Sequence, residues 1–166
     1  LNFENVSIST DQIVATGDEA EQLIKDAINY GTLCVSAEAV GSMESCYLKT
    51  VEYTKSREQF GQPISNFQVL QHKMVDMFIE AELCKSLLYK SMIDMHENND
   101  TKYRSVSALK SQVGISGKKV GEDAVQLHGG MGVSEEMSIG HYLKRFISID
   151  SQFGNAHFHL KKFNNS

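Results

Sequence analysis

Arg57 closes a long stretch of helical apolar periodicity and is followed by Glu58-Gln59-Phe60-Gly61-Gln62-Pro63-Ile64. An arginine at the C-terminal end of a helix offers a planar fork of donors that matches phosphate oxygens. Further along, Gln126-Leu127-His128-Gly129-Gly130-Met131-Gly132 ends a second such stretch. Glycines there expose backbone amides and let a flat ring or a phosphate come close. Among the carboxylates, Glu38 draws notice because it lies among Ala37, Ala39, Gly41 and Ser42, a small-residue face where a charge is unusual. Asp150 is the second candidate for proton transfer. The bland reading makes Glu38 a hydrogen-bonded residue inside the fold and Asp150 a solvated carboxylate at a helix end. His141, His157 and His159 do not suggest a metal, since positions i and i+2 of a helix point apart. Cys34, Cys46 and Cys84 are odd in number, lack metal-type spacing and fall in helical patterns. They read as reduced packing residues.

These residues need helices to position them. Leu23, Ala27, Tyr30, Cys34, Ala37 and Gly41 recur at steps of three and four, with Leu48 and Val51 beyond, and predict the buried face of a helix ending at about Arg57. Thr16 and Glu19 fit a capping box at its start. Pro63 breaks the pattern, and Ser65 with Gln68 fits a second capping box. Leu70, Met74, Met77, Ala81, Cys84, Leu88 and Met95 then mark a second helix, ending near His96–Asp100. A third runs from about Thr101 to His128, with Val106, Leu109, Val113, Val120, Ala124 and Leu127 inward. Gly114, Gly117 and Gly121 lie near one face of it, and each costs about 0.5–1 kcal/mol relative to alanine. Tight approach of another helix or a cofactor is the expected reason. Ser134 is expected to cap a fourth helix to about Ile149, with a short last helix over Gly154–Phe163. Leu1, Phe3, Val6 and Ile8 alternate imperfectly and read as one strand, whose partners would lie elsewhere.

The chain has 166 residues, 41% of them hydrophobic, with one proline and no tryptophan. So little proline favours long uninterrupted helices. The net charge of −5, from 16 basic and 21 acidic residues, argues against a nucleic-acid surface. No run is long and apolar enough to span a bilayer, and nothing resembles a signal peptide, so a cytoplasmic location is expected. The expected fold is an all-α, up-and-down four-helix bundle over residues 16–166, with a short extra C-terminal helix. Residues 1–15 would be the end of a preceding β-domain.

The run Arg57–Ile64, followed by Phe67-Gln68, resembles a signature loop of the acyl-CoA dehydrogenase C-terminal domain, and Gln126–Gly132 resembles that family's second signature. The resemblance covers nearly the whole chain. It implies FAD as cofactor, an acyl-CoA substrate, an electron-transfer acceptor, and a homo- or hetero-oligomer (dimer or tetramer). It places Arg57, Gln59, Phe60, Ile64, Gln126, Gly129 and Gly130 at the diphosphate and adenosine end of the flavin, reached across a subunit interface. Asn155 and His157 would contact FAD after the catalytic turn. The family abstracts the α-proton of the thioester with a glutamate, in many members within a Tyr-Glu-Gly-Thr-like run. Here that stretch is Gln152-Phe153-Gly154-Asn155, and Phe153 accepts no proton. A second family position for the base aligns with Gly31, which also lacks a carboxylate. Glu38 and Asp150 are the nearby substitutes. Glu38–Gly41, Gly140–Arg145 and Phe153–Ala156 look like the small subunits of pimeloyl-CoA-type dehydrogenases. In such pairs one subunit supplies the base and the other contributes flavin contacts. The resemblance therefore implies a dehydrogenase domain that is inactive by itself, or alternatively a non-catalytic subunit or oligomerisation module.

Overall fold

A computed structural model describes residues 2–165. Five helices make up the fold: α1 (Gly17–Ser56), α2 (Gln68–His96), α3 (Lys102–His128), α4 (Ile139–Ser151) and α5 (Ala156–Asn164). A two-residue hairpin, β1 (Glu58–Gln59) with β2 (Gln62–Pro63), joins α1 to α2 in antiparallel register. The all-α expectation holds, with α3 at the centre and packed against each of the other four helices.

That position follows from α3's composition. Val106, Leu109, Val113, Val120, Ala124 and Leu127 are all buried, as their spacing requires. Gly114, Gly117 and Gly121 let α4 approach, as predicted, although it is a helix and not a cofactor that comes close. A methyl at Gly121 would meet the Leu143 side chain at 2.9 Å, and one at Gly117 would press on Phe146 at 3.3 Å. On α2, Met77, Ala81, Cys84, Leu88 and Met95 are buried and join the same core.

Helix α1 reverses its prediction. Leu23, Tyr30 and Leu48 are about half exposed, and Ala27, Cys34, Ala37 and Gly41 also face outward. The buried face carries Asn29, Thr32, Ser36, Ala39, Val40, Met43, Cys46, Thr50 and Thr54. The inward hydroxyls are satisfied by the helix itself: Thr32, Ser36 and Thr50 donate to the carbonyls of Ile28, Thr32 and Cys46 at 2.7–2.8 Å. A polar group bonded in this way enters a core at little cost. Cys34 is therefore not a packing residue, whereas Cys46 and Cys84 are.

The ends of the elements also depart from expectation. Among the described residues 2–8 no strand forms, and Leu1 lies outside the description. Thr16 is the N-cap of α1 but makes no side-chain cap bond. Ser65 sits in a 3₁₀ turn (Ile64–Asn66) and α2 begins after Phe67. Ser134 closes a small turn by accepting from the Glu136 amide at 3.1 Å, so α4 starts later, after Ser138.

Candidate functional site

Two helix ends, distant in sequence, meet beside the hairpin. At its tip Phe60 (φ 55°) and Gly61 (φ 80°) both adopt left-handed backbone, as a two-residue hairpin turn demands. Phenylalanine rarely takes that conformation. Here it projects the ring outward, 88% exposed, with Phe67 edge-on at 6.0 Å. The loop is anchored by buried Ile64, whose amide donates to the Arg57 carbonyl at 2.9 Å. The Arg57 side chain is left exposed.

Opposite, α3 ends at Gly129 (φ 59°), where the chain turns away from helical geometry. A methyl added at Gly129 or Gly130 would meet nothing within 4 Å, so both face open space. Between the two ends Tyr53 stacks on His128 at 4.2 Å and 21°. His128 Nδ1 bonds the Ala124 carbonyl at 2.8 Å, while Nε2 is buried without a partner. Burial pushes its pKa below the ordinary histidine value.

The result is one groove of about 470 Å³. Arg57, Gln59, Phe60, Ile64, Gln126, Gly129 and Gly130 all line it, so the structure brings together the seven residues that the two motifs nominated. It offers an exposed guanidinium, two glycines facing open space and an aromatic tip, a set that fits a diphosphate joined to a ring. Asn155 and His157 lie outside this groove. Asn155 caps α5 by accepting from the Phe158 amide at 2.9 Å, and His157 is exposed.

The expected base locus lies elsewhere, between α1 and the α4–α5 turn. Phe153 (φ 56°) lays its ring on Gly31: a methyl there would come within 2.8 Å of Cζ. The two positions that the resemblance nominated for a base are thus neighbours in space, with the Phe153 ring against Gly31. Neither substitute carboxylate reaches it freely. Glu38 is half exposed, not buried, and takes a bidentate pair from Arg145 at 2.6 and 2.7 Å. The Arg145 guanidinium holds its pKa below the usual carboxylate range. Asp150 is not solvated. It is 9% exposed and accepts from the Ala156 amide at 2.9 Å and Lys118 at 3.1 Å.

Sequence reasoning passed over three residues. Tyr53 carried no motif, and His128 lay inside the second motif without a role of its own. Lys110 gave one signal: it adjoins Leu109 on the inward stripe of α3, and it proves 0% exposed.

The fold is a helical bundle domain with one groove where two helix ends converge. The acyl-CoA dehydrogenase C-terminal domain matches residues 22–156, and the chain belongs to the acyl-CoA dehydrogenase family. Acyl-CoA dehydrogenase IpdE2 of Mycolicibacterium smegmatis is 32% identical over 115 residues, which are 68% of this chain and 34% of that protein. Butyryl-CoA dehydrogenase of Megasphaera elsdenii superposes with a TM-score of 0.91 at 24% identity, over 98% of this chain and 42% of that one. The Tcur3481–Tcur3483 steroid ACAD gives 0.78 at 27% identity, over 82% and 38%. The chain therefore spans little more than a third of the length of these relatives. No helix among the described residues is long and apolar enough to cross a membrane.

Proposed function

We propose that this chain is the C-terminal bundle of an FAD-dependent acyl-CoA dehydrogenase subunit that supplies flavin contacts and no base of its own. Arg57 would pair with the flavin diphosphate, and the Gly129-Gly130 backbone would lie against it. Phe60, Gln59, Ile64 and Gln126 would face the adenosine end, across an interface with another subunit. Asn155 and His157 would serve the other end of the flavin. When bound, FAD supplies the acceptor for the hydride that leaves the β-carbon of an acyl-CoA. Electrons then pass to a separate acceptor protein.

The observation that carries this reading is the meeting of both motifs in one groove. Phe153 seated on Gly31 favours the non-catalytic partner of a heteromer over a self-sufficient enzyme. With Glu38 held by Arg145 and Asp150 tied to the α5 amide, the proton acceptor comes from a partner subunit. The outward apolar stripe of α1 supports an oligomer.

The test is purification of the full-length protein with its partner. A yellow flavin should co-purify, and Arg57→Ala should strip it. Glu38→Gln and Asp150→Asn should leave flavin bleaching by an acyl-CoA panel unchanged, and these 166 residues alone should turn over no acyl-CoA. A full-length complex that never holds flavin would sink the reading.

A further inference from the structure

The α4–α5 turn is built over a buried cation. Lys110 projects from the inward face of α3 and is 0% exposed. Its ammonium donates to the carbonyls of Asp150 at 3.0 Å and Gly154 at 2.8 Å. His159, 2% exposed, holds the carbonyl between them in sequence, that of Phe153, through Nε2 at 3.0 Å. Three carbonyls around one turn are thus gripped from below by side chains of α3 and α5. The Asp150 carbonyl belongs to the last turn of α4, where backbone acceptors lack intrahelical donors.

An apolar residue would fill the Lys110 site without the penalty of burying a charge. Burial does draw the Lys110 pKa below its ordinary value, with the nearby Asp150 charge opposing. What the lysine adds over an apolar residue is the pair of carbonyl bonds, and these flank a strained segment. Phe153 at φ 56° and Gly154 at φ 101° are consecutive left-handed residues, a conformation that a phenylalanine holds only where its surroundings impose it. Imposing it aims the ring at Gly31 and makes it one wall of a 660 Å³ apolar cavity between α1 and α5, shared with Ile24, Ile28 and Phe158.

We propose that Lys110 is the positioning residue for Phe153, locking the turn so that the ring remains a fixed wall over Gly31 and keeps that locus closed. Its meaning for catalysis rests on the reading above, that position 153 is where a base would stand. The geometry can be tested without that reading.

The chain contains no tryptophan, so Phe153→Trp in the full-length protein installs a single indole at this locus within these residues. Adding Lys110→Met should raise quenching of that indole by acrylamide at least about twofold and red-shift its emission, as a locally freed segment does. The helical circular dichroism should not change. Val120→Ala, on the same helix nearly three turns from Lys110 and 0% exposed, loosens the core away from the turn and should leave quenching as it was. Equal quenching changes in the two variants would make Lys110 an ordinary core residue and overturn the proposal, as would no change with Lys110→Met. Should Lys110→Met fail to fold, the ζ-nitrogen resonance of the lysine in unaltered protein decides. A slowly exchanging ammonium with couplings to carbonyl carbons supports the lock, and fast exchange overturns it. The indole and the ammonium report with or without flavin, so loss of the flavoprotein reading and loss of this one are separate outcomes.

Discussion

Replacing Gly31 with alanine puts a methyl 2.8 Å from Phe153 Cζ and 3.1 Å from Cε1. Two effects oppose each other. Alanine in a helix interior gains about 0.5–1 kcal/mol over glycine. Overpacking costs about 1–3 kcal/mol when the neighbour cannot yield. The Phe153 ring is 47% exposed and can swing partly outward, at the expense of its own packing. Gly31→Ala alone should therefore destabilise by up to roughly 2.5 kcal/mol, the overpacking cost less the helix gain. With Phe153→Ala the obstacle is gone, and the same change should stabilise by about 0.5–1 kcal/mol. The sign reverses, and the coupling across the pair is about 1–3 kcal/mol. Urea unfolding of wild type, both single variants and the double variant measures it. In a domain of this size each kcal/mol moves the midpoint temperature by about 2–4 °C. If the two changes add to within about 0.5 kcal/mol, the ring does not sit on Gly31 and the closed-locus argument fails.

Three further outcomes follow from named groups. Arg57→Lys keeps the charge but loses the fork, so flavin affinity of the full-length complex should drop about tenfold by equilibrium dialysis while unfolding is unchanged. Asp94, 6% exposed, accepts from Lys90, Ser105 and Asn99, and Lys90 foremost holds its pKa down to about 2 from 3.8. A depressed carboxylate stabilises the fold above its unfolded pKa and loses that contribution as pH falls through the folded one. About 2 kcal/mol should therefore vanish between roughly pH 4 and pH 2, and Asp94→Asn should flatten that slope in acid titrations followed by circular dichroism. Burial pushes the Cys46 and Cys84 thiols up to about 12 and about 11, whereas Cys34 is exposed. A disulfide reagent should label one thiol of the native bundle quickly and the other two only on unfolding.

The helices α2 and α3 were legible because their apolar residues at three-and-four spacing are the ones that burial selects: Met77, Ala81 and Cys84 on one, Val106 to Leu127 on the other. The groove was legible because its two halves are local motifs at helix ends, so that finding the ends located the halves. Its interior was not. Tyr53 stacking on His128 joins residues far apart in sequence, and although His128 lies inside the second motif, no spacing pairs it with Tyr53. The capping expectations at Thr16, Ser65 and Ser134 named suitable residue types. A hydroxyl caps only when the preceding backbone aims it at a free amide, and tertiary packing settles that. Of such residues Asn155 alone was assigned another role, and it is the one seen capping a helix.

The reversal of α1 comes from treating hydrophobicity as a sufficient guide to the inside of a helix. Thr32, Ser36, Thr50 and Thr54 look polar to any scale, yet each donates within its own helix, so burying them forfeits no hydrogen bond. Once that cost is gone, small size decides, and threonine, serine and alanine allow α3 to pack closely. The larger side chains Leu23, Tyr30 and Leu48 are left to the outer face, where in this chain they stay half in water. An outward apolar stripe on α1 is the feature that the proposed oligomer would use. The same division runs through the site: Arg57, Phe60 and the Gly129-Gly130 backbone also point away from the core. Apolar and charged side chains alike are thus left facing outward, as the proposed role in completing another subunit's cofactor site would require.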